Sequence, residues 1–140
     1  VAHRRYQGWR DALQRYNMPI DESMIITCDT RAQAIIETPS ILKQDNKPDA
    51  IFCVNDDCAS GVLYAAQILG MKIPDELSIC GFSNAPLCRN TYPMLSTVEQ
   101  HGVEIGKQAM SRLLKRLNGY DRIAHTEMIA TDLIVRETTK

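Results

Sequence analysis

The sequence predicts an α/β fold with a doubly wound parallel sheet, and three observations support this prediction. Residues 50–54 and 77–82 are short, continuous apolar runs, which are typical of strands buried on both faces. Between them, apolar residues recur at three-to-four spacing, which indicates a helix that ends at Gly70 and cannot resume through Pro74. Parallel strands joined in this way take a right-handed crossover. We therefore expect a strand–helix–strand unit at the centre of the fold.

Two elements are predicted near the start of the chain. Residues 3–16 carry aromatic and apolar side chains at helical spacing, and Asn17 and Pro19 mark the end of this first helix. Residues 23–28 form an apolar run that predicts a strand.

A second helix is predicted over residues 31–42, with Asp29 as its cap. Proline removes a backbone donor and clashes with the preceding turn. Pro39 therefore predicts an interruption near Thr38 or a capped restart at Ser40.

The chain ends with a fourth predicted helix and a final strand or pair of strands. Residues 103–117 have an apolar stripe flanked by basic residues, and the helix ends at residues 118–119. Residues 128–135 are mainly apolar and favour a strand, interrupted near Asp132.

Polar side chains follow both strands of the central unit. Asn55 and Asp56 follow the first strand, and Ser83 and Asn84 follow the second. Open parallel sheets bind ligands beyond the carboxyl ends of their strands. We therefore expect Asn55 and Ser83 to lie close together at one site edge, with Asp56 and Asn84 capping helices there.

The composition limits the class of protein. The chain has 140 residues, enough for one domain, and its net charge of −1 shows no basic patch for nucleic acid. No apolar run approaches membrane-spanning length, and the start lacks a signal peptide, so we expect a cytoplasmic protein without membrane contact. Because the chain opens with Val1 close to a helix start, we also expect it to be a fragment.

Neither a metal site nor a catalytic site is indicated. The five cysteines contain no Cys-x-x-Cys pair and no histidine at zinc-finger spacing. Glycine-rich phosphate loops, nucleotide-binding turns and nucleophile elbows are missing from the sequence. The adjacent carboxylates Asp56 and Asp57 do not face each other across a substrate. We therefore expect a protein that is not an enzyme and needs no cofactor.

Several short motifs occur in order along nearly the whole chain. Val-Asn-Asp at 54–56 is followed by Ile-Pro-Asp-Glu-Leu-Ser-Ile-Cys-Gly-Phe at 73–82 and Pro-Met-Leu-Ser-Thr-Val-Glu-Gln at 93–100. Arg-Tyr-Gln-Gly-Trp at 5–9 precedes them, and Leu-Ile-Val-Arg-Glu-Thr-Thr at 133–139 closes the chain. This ordered set resembles the lactose-repressor (LacI/GalR) family of bacterial transcription regulators.

The resemblance implies a periplasmic-binding-protein-like fold of type I. Residues 1–100 would form mainly the C-terminal effector-binding subdomain, residues 101–120 a crossover helix that packs on the N-terminal subdomain, and residues 121–140 the returning strand or strands. In the family, a small molecule binds in the cleft between subdomains and so controls operator DNA binding by a helix-turn-helix domain. That domain is not within this sequence, so DNA contact is expected of the parent protein only.

The resemblance also implies which residues contact the effector: Arg5, Thr30, Asn55, Ser83 and Gln100. A sugar or sugar derivative is the effector class it indicates. Two positions depart from the family, since Thr30 stands where an aromatic residue often stacks and Ser83 where an aspartate is common. Both departures weaken the assignment of an ordinary sugar.

Family members dimerise partly through the helix after Asn-Asp and the loop after Gly-Phe. The resemblance therefore implies a symmetric homodimer. Its interface would include Cys58, Val62, Leu69, Leu87 and Tyr92.

Two other functions are weighed against the regulator. A periplasmic sugar-binding protein of a transport system shares the two-lobed fold, but the five cysteines and the motif at 73–79 favour the regulator. An enzyme of the doubly wound class would have the fold but lacks a catalytic set.

The stripe on the helix at 103–117 leads to a further expectation. In the family this helix packs on a sheet that is not part of this sequence. Several large apolar side chains left in water would cost more than a small domain tolerates. We expect the helix to swing out near Gln100 and Gly102 and to bury its stripe against another copy of the chain.

Overall fold

The computed structural model describes residues 2–120, 123–124 and 126–140 of the 140-residue chain. Its α-helices are α1 (Ala2–Arg15), α2 (Arg31–Leu42), α3 (Asp56–Ile68) and α4 (Gly102–Leu117). Its strands are β1 (Ala50–Phe52), β2 (Ser78–Cys80), β3 (Thr97–Glu99) and β4 (Asp132–Ile134), and single 3-10 turns lie at Glu22–Met24 and Pro86–Arg89. None of the helices in these ranges is both long and apolar enough to cross a membrane.

The central strand–helix–strand unit is confirmed. β1 and β2 are parallel, with Ala50 opposite Ser78 and Phe52 opposite Cys80, and α3 connects them. Beyond β2, Cys80 makes a parallel bridge to Ser96, and β3 pairs antiparallel with β4.

The prediction of a strand over residues 23–28 is wrong. Glu22–Met24 form a 3-10 turn, which begins where the carboxylate of Asp21 accepts a bond from the Ser23 amide at 2.9 Å. Residues 25–29 have no strand pairing within the described chain, although Ile26 packs against the core. An apolar run indicates burial, but a strand also needs a neighbour with which to share backbone hydrogen bonds.

Helix α2 differs from its prediction in two ways. It runs unbroken through Pro39, because close packing on α3 offsets the bond that proline removes. Its cap is Thr30 rather than Asp29, since the Thr30 hydroxyl accepts a bond from the Gln33 amide at 3.3 Å. Gly61 sets the closeness of the two helices: a Cβ there would lie 2.5 Å from the Arg31 carbonyl oxygen.

The core lies between α2, α3 and the strands. Its buried members include Ala34, Ile41, Leu42, Cys53, Cys58, Ala59, Val62, Leu63, Ala66, Leu77, Ile79, Cys88 and Leu95. The C-terminal segment completes it, because Thr138 exchanges hydrogen bonds with Ile79, one to the Ile79 carbonyl and one from its amide, both at 2.7 Å.

Helix α4 begins and ends close to its predicted limits, yet none of its residues is buried. Leu113 and Leu114 are half exposed, and Leu117 is 74% exposed. The stripe is therefore not covered within one chain, and its burial against another copy stays a prediction.

The last strand is shorter than the predicted range of 128–135. Asp132 opens β4 rather than interrupting a strand. Residues 121, 122 and 125, which belong to the predicted returning segment 121–140, lie outside the described residues.

Candidate functional site

The carboxyl ends of β1 and β2 bring two polar loops to one edge of the sheet. Phe52 and Cys80 are register partners, and Asn55 and Ser83 each follow by three residues. Since both strands run in the same direction, the two residues leave the same end of the sheet, as the sequence predicts.

Asn55 connects two segments at this edge. Its side-chain oxygen accepts the Cys58 amide at 2.7 Å, so it caps α3. Its side-chain NH₂ donates to the Asp29 carbonyl at 3.0 Å. Asn55 therefore holds the loop before α2 against the start of α3.

Asp56 is not the cap that the sequence predicts, but a buried anchor that is only 2% exposed. One carboxylate oxygen accepts the Ala85 amide at 2.7 Å, and the other accepts the Thr97 hydroxyl at 2.5 Å. Gly81 makes room for it, because a Cβ there would lie 2.3 Å from Asp56 Oδ1. Asp56 thus fixes the loop after β2 and the start of β3 to α3.

The loop after β2 has a strained backbone. Ser83 and Asn84 have φ values of 120° and 53°, a region that residues other than glycine rarely adopt. The Ser83 amide donates to the Val98 carbonyl at 2.8 Å, and the Asn84 amide donates to the Thr97 hydroxyl at 3.2 Å. These bonds hold the loop in a conformation that its residue types disfavour.

The side chain of Asn84 is held from both sides, so it is not a helix cap as predicted. It donates to Glu99 Oε2 at 2.8 Å and accepts from Arg136 Nη2 at 2.6 Å. The bond from Asn84 is the main cause that lowers the pKa of Glu99, followed by the bond from the His101 amide. No local pattern indicates these roles, because Arg136 lies 52 residues from Asn84 along the chain.

Arg5, Phe82, Ser83 and Gln100 come together at the same edge. The Arg5 guanidinium lies 3.8 Å from the centroid of the Phe82 ring and donates to the Val54 carbonyl. Burial lowers the pKa of Arg5, while the charge of Asp56 opposes this shift. Gln100 Nε2 donates to Ser83 Oγ at 3.0 Å. Phe82 was missed by the sequence prediction, which treated it only as the end of a strand.

A cavity of about 420 Å³ opens beside this group. Its lining includes Arg5, Phe82, Gln100, Ile105, Arg112 and Glu127. Arg112 Nε donates to Glu127 Oε2 at 2.7 Å and forms part of the wall. Of the predicted effector contacts, Arg5 and Gln100 line this cavity, whereas Ser83, Thr30 and Asn55 do not. Thr30 and Asn55 serve as helix caps.

A larger cavity of about 970 Å³ lies between the N-terminal segment and β1. Apolar side chains such as Trp9, Leu13, Ile26 and Ile51 line much of it. It exists because residues 25–29 do not pair with β1. The sequence prediction of a strand there did not anticipate this cavity.

Two of the residues that were predicted to lie at a dimer interface are buried in the core instead. Cys58 and Val62 are 2% and 5% exposed and belong to the core, so the prediction chose the wrong face of α3. The exposed face carries Tyr64 and Ile68, and Gln67 donates to the Tyr92 carbonyl at 2.6 Å. Leu69 and Leu87 pack partly on the core, whereas Tyr92 is 88% exposed.

The chain is similar to known proteins over almost its full length. Residues 1–139 match the family of periplasmic binding protein-like domains. The chain is 33% identical over 140 residues to the HTH-type transcriptional repressor PurR of Vibrio atlanticus (strain LGP32), an alignment that covers 97% of this chain and 41% of that protein. It is 32% identical over 139 residues to the ribose operon repressor of Haemophilus influenzae, covering 99% of this chain and 42% of the repressor.

A solved structure gives the same result for the fold. The crystal structure of a LacI-type transcription regulator from Bifidobacterium animalis subsp. lactis matches with a TM-score of 0.90 and 28% identity, covering 97% of this chain and 49% of that one. This match confirms the predicted periplasmic-binding-protein-like fold. The chain spans about two fifths of the length of the two curated relatives and about half of the solved regulator.

Proposed function

Because the chain belongs to the periplasmic-binding-protein-like domain family, in the form found in LacI-type transcription regulators, we propose that it is the effector-binding part of such a regulator. Its function is to bind a small molecule, with no chemical conversion. The convergence of Arg5, Phe82, Ser83 and Gln100 at one sheet edge is the observation that carries this proposal. The proteins reported as similar are transcription regulators, which favours regulation over transport.

The chemistry of this group suits a ligand that carries hydroxyl or carboxylate oxygens. A guanidinium has five N–H donors. Within the described residues, the hydrogen bond that Arg5 donates to the Val54 carbonyl uses only its Nη1 atom. The Phe82 ring holds the guanidinium plane in place, and Gln100 and Ser83 add neutral donors and acceptors. A sugar or sugar derivative fits this set.

The proposed regulation is a population shift between two states of a two-lobed protein. An effector that contacts both lobes favours the closed state by its differential affinity and so changes operator binding. In this proposal residues 1–100 form one lobe, residues 101–120 cross to the other, and residues 121–140 return. A helix-turn-helix domain outside these 140 residues contacts the DNA in the cytoplasm.

The same proposal includes a homodimer through the exposed face of α3. Tyr64, Ile68 and Tyr92 are exposed there, and the Gln67 bond to the Tyr92 carbonyl fixes the loop against the helix. Exposed aromatic and aliphatic side chains on one surface favour association.

Calorimetry on the full-length regulator, with a panel of sugars, sugar acids and sugar phosphates, tests the effector site. Replacing Arg5 with Gln is expected to weaken binding of the recognised compound by about tenfold or more, because a charged hydrogen bond contributes about 1.5–3 kcal/mol. Arg15→Gln, an exposed change at the end of the same helix, is the matched control. Equal affinity in wild type and Arg5→Gln would contradict this assignment.

A further inference from the structure

Two cysteines from distant parts of the chain meet beside the larger cavity. Cys58 Sγ donates to the Cys28 carbonyl at 3.6 Å, across a sequence separation of 30 residues. Both residues also line the larger cavity. Cys58 is buried, whereas Cys28 is partly exposed and is the one that a reagent in solvent reaches more easily.

The backbones around these two residues are already fastened together. Asn55 Nδ2 donates to the Asp29 carbonyl at 3.0 Å, and the Arg31 amide donates to Asp57 Oδ2 at 2.7 Å. A disulfide needs its two Cα atoms within about 7 Å and some freedom in its side chains. Residues 25–29 border the 970 Å³ cavity and do not pair with β1, so no strand hydrogen bonds resist a small shift of Cys28 toward Cys58.

We propose that Cys28 and Cys58 are a redox-active pair that forms a reversible intramolecular disulfide on reaction with a small-molecule disulfide such as oxidised glutathione. The proposal does not depend on the proposed function, because it concerns only the reaction of two thiols. The two residues are paired because the Cys58 thiol lies 3.6 Å from the Cys28 carbonyl oxygen. Cys53 is a buried thiol of the same core and is the competing partner that the experiment must exclude.

The reaction proceeds in two balanced steps. The thiolate of Cys28 attacks one sulfur of the small disulfide, forms a mixed disulfide and releases one small thiolate. Cys58 then loses its proton, attacks the Cys28 sulfur and displaces the second small thiolate. Two protein thiols are oxidised, and the small disulfide is reduced to two thiols.

The second step should be the slower one, because it needs the thiolate of a buried residue. Burial, and then the neighbouring Cys28, raise the pKa of the Cys58 thiol to about 12, so little thiolate is present near neutral pH. Below that pKa each unit of pH increases the thiolate fraction about tenfold. The mixed disulfide should therefore resolve faster as the pH rises.

The disulfide would fasten the segment before α2 to the first turn of α3. Cys28 directly precedes Asp29 and Thr30, and Cys58 follows the cap Asn55. The oxidised chain would therefore hold one side of the sheet edge covalently, in addition to the hydrogen bonds that hold it in the reduced chain.

Peptide mapping under non-reducing conditions tests the proposal. The chain is incubated with oxidised glutathione, its remaining thiols are alkylated, and it is cleaved on the amino side of aspartates. Cleavage before Asp57 separates Cys53 from Cys58, so the two candidate partners fall in different peptides. We expect two of the five thiols to be protected, a Cys28–Cys58 linked peptide at least tenfold more abundant than any other pair, and its disappearance on reduction.

Variants decide which residues carry the reaction. Cys28→Ser should abolish the link, and this residue is partly exposed, so the variant is expected to fold. Cys53→Ala and Cys88→Ala are matched controls that should retain it. A dominant Cys28–Cys53 link, a glutathione adduct on Cys28 that persists at pH 9, or five alkylated thiols after oxidation would overturn the proposal.

Discussion

Helices α3 and α4 show that the spacing of apolar residues along a helix does not determine how much of that helix is buried. α3 has 13 residues, of which eight are buried, whereas α4 has 16 residues and none buried. Both carry apolar residues at helical spacing, and the stripe of α4 is the clearer one in the sequence. The difference lies in what faces each helix.

α3 has partners because its connections supply them. It joins two parallel strands, so its apolar face must lie on the sheet between them, and Gly61 lets α2 approach its other side. α4 instead starts after His101, which has a left-handed backbone with φ of 54°, and leads away from the core. Its apolar face therefore needs a surface from another polypeptide segment or another copy.

The largest expected effect concerns the anchor of the buried region. Asp56→Ala should lower the free energy of unfolding by about 3–5 kcal/mol, because it leaves the Ala85 amide and the Thr97 hydroxyl without their acceptor. Asp57→Ala, one residue along, removes a single bond to the Arg31 amide and should cost about 1 kcal/mol. Urea denaturation of both variants measures the difference, and equal losses would show that Asp56 is not the anchor.

A matched pair of leucines compares the two regions directly. Leu77→Ala should cost about 2–5 kcal/mol, because Leu77 is fully buried. Leu117→Ala should change the stability of the dilute chain by less than about 0.5 kcal/mol, because that side chain is 74% exposed. If thermal unfolding showed similar losses, α4 would be packed on the chain in solution.

The exposed stripe should cause the 140-residue chain to associate. Replacing Leu113 or Leu117 with Gln should weaken association about tenfold or more, since burying such a side chain is worth about 1.5–3 kcal/mol. Sedimentation velocity over a concentration series measures this change. Ile36→Gln, at a 73% exposed position on α2 outside both proposed contact surfaces, is the control and should leave association unchanged. A wild-type chain that is monomeric at every concentration would rule out the stripe as a contact between copies.

The smallest expected effect concerns pH. Hydrogen bonds lower the pKa of Glu99 in the folded chain, so its carboxylate stabilises the fold above the ordinary pKa of about 4.5 and loses that contribution as the pH falls through the folded-state pKa. Glu99→Gln should therefore flatten the fall in thermal stability between pH 6 and pH 3, whereas Glu37→Gln on the exposed face of α2 should not. Parallel curves for Glu99→Gln and wild type would contradict the role of this carboxylate.

Local sequence signals were sufficient to predict the central strand–helix–strand unit. The cap Asn55, the stop at Gly70 and the apolar runs on either side act over a few residues, so the sequence predicts α3, β1 and β2. The strand at 23–28 failed because a strand is defined by its neighbour, which no local run can supply.

The supporting contacts of the site could not be predicted for a similar reason. Asp56 meets Thr97 across 41 residues, and only the folded backbone reveals that distance. Cys58 and Val62 were assigned to an interface from the family resemblance, which indicates the helix but not which of its faces is exposed, and an apolar face looks the same in sequence whether it meets the core or a partner. The effector contacts at Arg5, Ser83 and Gln100 come from the family resemblance, and they stay predictions although the structure brings them together.

The strained loop at Ser83 and Asn84 has a kinetic consequence. Because Val98, Thr97 and Arg136 already hold it, a ligand that arrives there meets a surface whose conformational entropy was lost during folding. Binding to this wall then needs no rearrangement of its own, and the affinity it contributes is not reduced by the cost of ordering a mobile segment. If the proposed effector binds here, any slow step in its capture must come from another part of the site, because this edge is already ordered before the ligand arrives.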